Sequence, residues 1–164
     1  MKPPKFTIYT DGACTGNPGP GGYGVVIKGP DKAQELSGGF ALTTNNRMEL
    51  LAVILGLKAL KEASEVTLFS DSKYVVDAIN QEWVFRWQTN KWKRNKRDKA
   101  ENVDLWKQLL PLLKKHTVSF KWVKGHAGDP ANERCDTLAV TAAKKKSLPP
   151  DKGYGEKSKQ ASLF

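Results

Sequence analysis

The chain has 164 residues, 39% of them apolar and 27% charged, which is enough to bury one core unaided and excludes a disordered, collagenous or disulfide-scaffold protein. Its formal charge of +10 at pH 7 is far from ordinary. Such an excess concentrates polyanions at the surface and points to nucleic acid, or secondarily to an anionic membrane, as partner.

Met1-Lys2-Pro3-Pro4 lacks the apolar stretch of a signal peptide, and no later segment reaches bilayer-spanning length, so a soluble cytoplasmic protein is expected. Residues 5–11 alternate, with Phe6 and Ile8 on one face and Thr7, Tyr9 and Asp11 on the other, predicting a strand that ends near Asp11. A glycine- and proline-rich turn follows from Gly12 to Gly24, and alternation resumes through Tyr23, Val25 and Ile27 in a second strand. Residues 34–41 predict a third strand, the three forming an antiparallel meander. From Asn46 the apolar residues Leu50, Val53, Ile54 and Leu57 recur at helical spacing. A short apolar strand at 66–69 leads through Ser70-Asp71-Ser72 into a helix over 73–80. Another helix is predicted around 102–113, and Val118, Phe120 and Trp122 mark one face of a last strand; Trp106 and Trp122 both read as core. Asp129-Pro130 has the chemistry of a helix start, with the helix running to about Lys144. Strands followed by alternating helix and strand predict an α/β domain over 1–144, a mixed sheet with helices on both faces. From Lys145 the prolines, glycines and scattered lysines suggest a C-terminal tail, 145–164.

Two apparent motifs are set aside. Gly19-Pro-Gly21-Gly-Tyr-Gly24 matches a dinucleotide-binding pattern, but a β-branched strand follows it where that motif needs a helix N-terminus. Cys14, Cys135, His116 and His126 make a Cys2His2 count without close pairs, so no structural zinc is predicted, and both cysteines are expected to be free thiols.

Four acids carry the chemistry: Asp11, Glu49, Asp71 and Asp136. Each also has a structural use. Asp11-Gly12 is a turn dipeptide, Asn46 to Glu49 has capping-box spacing, Asp71 could cap a helix and Asp136 could face solvent. In an open α/β sheet, however, the functional crevice lies beyond the carboxyl ends of parallel strands, where Asp11 and Asp71 fall. If their strands are neighbours and the helices bearing Glu49 and Asp136 pack beside them, the four converge. Like charges about 4 Å apart repel by about 4 kcal/mol at an effective dielectric of 20, so the cluster calls for cations, and oxygen donors select Mg2+ or Mn2+. Two such ions suit in-line displacement at a phosphodiester, which in a basic protein favours a nuclease over a phosphatase.

These residues resemble a family, bacterial type 1 ribonuclease H (ribonuclease HI). The resemblance rests on YTDGACTGNPGPGGYG (9–24), TTNNRMEL (43–50), SDSKYV (70–75), NVDLW (102–106) and WVKGHAGDPANERCDTLA (122–139), in family order over residues 5 to about 143. It implies a ribonuclease H-like fold, a five-stranded mixed sheet whose first three strands are antiparallel. It implies endonucleolytic hydrolysis of the RNA strand of RNA/DNA hybrids by two-metal-ion catalysis with Mg2+, Mn2+ substituting, to give 5′-phosphate and 3′-hydroxyl ends. The metal carboxylates fall on Asp11, Glu49, Asp71 and Asp136. His126, between glycines, falls on the family's loop histidine, where it could shuttle a proton or assist product release. Cys14, Asn17, Asn45 and Asn46 would contact RNA across the minor groove, and Thr44, with Asn102 beside it, a phosphate of the DNA strand. Lys73 stands where the family commonly has Gln, keeping a donor but losing the acceptor.

Within residues 86–99, seven cations (Arg86, Lys91, Lys93, Arg94, Lys96, Arg97 and Lys99) face one acid, Asp98, with Trp87 and Trp92 interleaved. This stretch resembles the family's basic handle, at about 83–101, which binds the hybrid outside the active centre. Cations beside aromatics suit sugar and phosphate. A monomer without obligate protein or membrane partner is expected. A binding module that had lost catalysis would lack one of the carboxylates, and none is missing.

Overall fold

A computed structural model describes residues 2–96, 100–124 and 129–154. Along the chain come β1 (Lys5–Cys14), β2 (Gly19–Lys28), β3 (Ala33–Thr43), α1 (Asn45–Lys58), β4 (Glu65–Ser70), α2 (Lys73–Asn80), α3 (Trp83–Thr89), α4 (Val103–Lys115), β5 (Thr117–Trp122) and α5 (Pro130–Ala143). The strands form one sheet in the order β3-β2-β1-β4-β5. Short connections make β1, β2 and β3 antiparallel, whereas helical crossovers make β4 parallel to β1 and β5 parallel to β4. The mixed sheet with its antiparallel first three strands is thus as the sequence predicts.

Alternation along the strands separates two faces. Ile8, Val25 and Ile27 point to the main core, where they meet Leu50, Ile54 and Trp106 under α1 and α4. Tyr9 and Val26 point the other way, onto Ala131, Cys135 and Leu138 of α5. Both cysteines are free. Among the described residues no helix is long and apolar enough to cross a membrane.

The glycine-rich stretch departs from expectation. β1 runs on to Cys14 and β2 begins at Gly19, so the segment predicted as one long turn is mostly paired strand. The reason is helix approach. A Cβ on Gly12 would lie 2.5 Å from the Glu49 amide nitrogen, and one on Gly24 would lie 2.3 Å from the Cys135 carbonyl oxygen. These glycines let α1 and α5 lie directly on the sheet, a use that composition alone does not distinguish from a turn.

Three further differences bear on the site. Trp106 is fully buried, but Trp122, expected in the core, is 45% exposed at the end of the edge strand β5. The first part of the basic stretch is helical, α3, although Trp, Val, Phe and Thr are weak helix formers; packing of Val84, Trp83 and Trp87 against the core holds it. After α5 the described residues, to 154, fold back on the sheet, where the Ala41 amide donates to the Pro149 carbonyl at 2.8 Å.

Candidate active site

Parallel pairing of β1 with β4 ends at Thr10 and Ser70, so Asp11 and Asp71 are the next residues at adjacent strand positions. The bare Gly12 backbone admits α1, which brings Glu49 over the same point. Asp11, Glu49 and Asp71 each offer one oxygen, and these atoms all lie within 4.8 Å of one another. None of the three is occupied by the local roles open to it. Thr44 caps α1, its hydroxyl accepting from the Arg47 amide at 3.2 Å, and Ser72 caps α2, accepting from Val75 at 3.2 Å. Asp11 is strand, paired with Gly24.

Burial and mutual repulsion define the electrostatics. Burial first, then the Asp71 charge, pushes Asp11 from 3.8 up to about 7; burial, followed by Asp11 and Asp71, raises Glu49 well above its usual range. The Gly12 amide, 2.8 Å from Asp11 Oδ1, opposes the first shift only in part. Glu49 Oε2 and Asp71 Oδ1 are buried without any hydrogen-bond partner. Unpartnered buried oxygens in an all-carboxylate group fit a hard divalent cation. Asp136, half-buried on α5, adds its charge to Asp11 but lies outside the close trio.

This arrangement sets a pH dependence. Between pH about 4 and about 7 the folded protein, free of metal, holds on Asp11 a proton that the unfolded chain has released, so stability falls as pH rises through that window. Asp11→Asn is therefore expected to melt higher than the wild type in chelator, with an advantage that grows from pH 5 to pH 8 and shrinks when Mg2+ is added. A pH-independent difference in calorimetry would contradict the shift.

The remaining candidates spread from this point. The loop between β1 and β2 lies on the start of α1, since Asn17 Oδ1 accepts from the Asn45 amide at 3.2 Å, and the Cys14 thiol donates to the Gly19 and Thr43 carbonyls. Cys14, Asn17, Thr44, Asn45 and Asn46 thus share one patch beside Glu49. Asn102, with φ at 60°, turns its side chain inward: its Nδ2 donates to the Tyr74 hydroxyl at 3.2 Å and its Oδ1 accepts from Arg47 at 3.4 Å. Arg47 therefore links it to Thr44, whose hydroxyl takes the Arg47 amide.

In the basic stretch Trp83, Trp87 and Trp92 pack partly buried against the core, Trp87 meeting Trp106 edge-on at 6.1 Å. They anchor this stretch to the core. Its cations Lys91, Lys93, Arg94 and Lys96 are exposed, and Arg86, Lys93 and Arg94 line a groove of about 440 Å³ with Trp83, Trp87 and Asn90. His126 and Arg97 lie outside the described residues. Two residues outside the sequence-predicted site also belong to its frame: Arg47, buried two positions before Glu49, and Trp122, expected in the core, whose Nε1–H donates to the Asp71 carbonyl at 3.1 Å. A charged residue on a helix's buried side was the available signal for the first; the second carried none.

Comparison with known proteins gives a uniform result. Residues 3–144 match the family model described as RNase H. A protein named Ribonuclease H from Trichodesmium erythraeum is 62% identical over 150 residues, 92% of this chain and 96% of that one. The crystal structure of LC9-RNase H1, described as a type 1 RNase H with the type 2 active-site motif, superposes with a TM-score of 0.80 at 33% identity, covering 90% of this chain and 76% of the other. LC11-RNase H1, solved in complex with an RNA/DNA hybrid, shares the fold at a TM-score of 0.61 and 24% identity, with 84% and 96% covered.

Proposed function

Because the chain belongs to the ribonuclease H family, we propose that it hydrolyses the RNA strand of RNA/DNA hybrids endonucleolytically, leaving 5′-phosphate and 3′-hydroxyl ends. The observation that carries this reading is the trio of buried carboxylates from β1, α1 and the β4–α2 junction, whose oxygens lie within 4.8 Å of one another and two of which lack any other partner. Asp11, Glu49 and Asp71, with Asp136 at the rim, would hold divalent metal. When bound there, two Mg2+ ions, or Mn2+ in their place, supply an activated water and neutralise charge at the leaving oxygen.

The chain's own residues do the rest. Cys14, Asn17, Asn45 and Asn46 present small polar groups and backbone to the RNA minor groove, where 2′-hydroxyls distinguish the strands. Thr44 grips a DNA-strand phosphate next to Asn102, Lys73 donates to the RNA strand beside Asp71, and His126 moves a proton during turnover. Lys91, Lys93, Arg94, Lys96 and Arg97 hold the hybrid's backbone beyond the centre, with Trp87 fixing the handle to the core. In our reading, residues 1–144 form the catalytic domain and the protein acts as a monomer.

The test offers end-labelled RNA/DNA hybrid, duplex RNA, duplex DNA and single-stranded RNA, each with Mg2+ and with chelator. Loss of the hybrid's RNA strand alone, and only with metal, is the expected result; equal cleavage of single-stranded RNA, or cleavage in chelator, would overturn the reading.

A further inference from the structure

Trp122, 45% exposed, ends β5 opposite Ser70, at the same carboxyl end of the parallel strands as Asp11 and Asp71. Two contacts orient the ring. Its Nε1–H donates to the Asp71 carbonyl at 3.1 Å, and the next residue, Val123, donates its amide to the Ser70 carbonyl at 2.9 Å. The indole is thereby fixed across the junction between β4 and α2. Over its face sits the Lys73 ammonium, 4.7 Å from the ring centroid.

Lys73 gains nothing from its place in the helix. It is the first residue of α2, where the helix dipole favours anions and disfavours a cation. A lysine is also a flexible point charge that ordinarily samples many rotamers. Docking on an indole face gives it a preferred position without neutralising it, because the ring attracts the ammonium through its quadrupole and leaves the full positive charge available to an anion. A cation held in place two residues from Asp71, against the grain of its own helix, has the attributes of a phosphate contact.

We propose that Trp122 is a positioning residue: its ring holds the Lys73 ammonium at the edge of the carboxylate trio, where Lys73 takes a backbone phosphate of the RNA strand. This rests on the hybrid being the substrate. Each phosphate neutralised by the protein contributes about one unit to the slope of log affinity against log salt, so a positioned lysine has a signature that a merely structural tryptophan does not.

The experiment measures Kd for intact hybrid in chelator over a series of salt concentrations, and KM and kcat with Mg2+. The proteins are wild type, Lys73→Met, Trp122→Leu, the double variant and Trp122→Phe. Lys73→Met is expected to weaken binding about five- to tenfold at moderate salt, to lower the salt slope by about one, and to raise KM more than it lowers kcat. Trp122→Leu is expected to reproduce most of that loss, and the double variant to be no worse than Lys73→Met alone. Trp122→Phe, which keeps a ring for the lysine, is expected to keep most of the wild-type slope, and it serves as the test should the leucine variant not fold. An unchanged slope in Lys73→Met, additive losses in the double variant, or a phenylalanine variant as weak as Lys73→Met would each overturn the proposal. Failure of the wild type to cleave hybrid at all would instead overturn the proposed function, so the two are told apart.

Discussion

Asp71→Asn is expected to slow cleavage of an RNA/DNA hybrid by on the order of 10³-fold while leaving hybrid binding intact. The substitution preserves the shape of the side chain and changes its charge, putting a donor NH2 where the trio presents acceptors. No internal hydrogen bond is forfeited at Asp71 Oδ1, which has none. The carboxylate of Asp71 is also a source of the upward shifts at Asp11 and Glu49, so its removal relieves repulsion in the metal-free protein. The variant should therefore melt higher than the wild type in chelator at pH 8, by about 2–4 °C for each kcal/mol relieved in a protein of this size. Affinity for the hybrid in chelator should not fall, because a negative charge has left a surface that meets phosphates. Activity down with stability up separates loss of chemistry from loss of fold. Single-turnover cleavage at the wild-type rate under saturating Mg2+ would remove Asp71 from the centre.

The legibility of this site in the sequence followed from how local each signal was. Asp11 and Asp71 could be placed because strand alternation and a βα junction are short-range patterns, and the rule that sites gather at the ends of parallel strands did the rest. Glu49 could not be separated from a capping acid without knowing that Thr44, whose hydroxyl accepts from the Arg47 amide, takes the cap itself. The glycines of β1 and β2 look like a turn in the sequence because what selects them is the distance to α1 and α5, helices that come later in the chain. Trp122 obeyed strand periodicity, yet periodicity says which face a residue shares and not whether a helix covers that face. The resemblance to a known family carried the substrate contacts, and the structure adds what the motif cannot state, that the Asn102 amide is turned inward onto Tyr74 and Arg47.

Arg47→Ala is expected to destabilise the protein by about 3–5 kcal/mol, the usual cost of removing one partner from a buried ionic group. Arg47 is 3% exposed and joins three parts of the chain. Its guanidinium grips Asp104 of α4 through two bonds, Nη1 to Oδ1 at 2.9 Å and Nη2 to Oδ2 at 2.7 Å. It also donates to Asp151 from Nε at 2.7 Å and from Nη2 at 3.1 Å. Asp151, with a side chain only 10% exposed, takes a further bond from the Thr43 hydroxyl at 2.6 Å. Burial alone would lower the Arg47 pKa and raise that of Asp104, but their pairing overrides it in both: Arg47 is raised and Asp104 lowered. A lowered acid contributes stability that is present above its ordinary pKa near 3.8 and lost as pH falls through the folded value, so the gap between wild type and Arg47→Ala should narrow in acid. Asp151→Ala leaves the paired grip on Asp104 in place and is expected to cost less, about 1.5–3 kcal/mol. That smaller figure is the informative one, since it asks whether residues after α5 belong to the folded unit. A solvated tail would tolerate the change within about 0.5 kcal/mol. Gly153→Ala probes the same contact from its other side, because a Cβ there would stand 2.0 Å from Asp104 Oδ2. Urea unfolding that ranks Arg47→Ala below Asp151→Ala, and both clearly below wild type, is the expected outcome; an Asp151→Ala protein as stable as wild type would mean that the C-terminal segment does not hold Arg47 in solution.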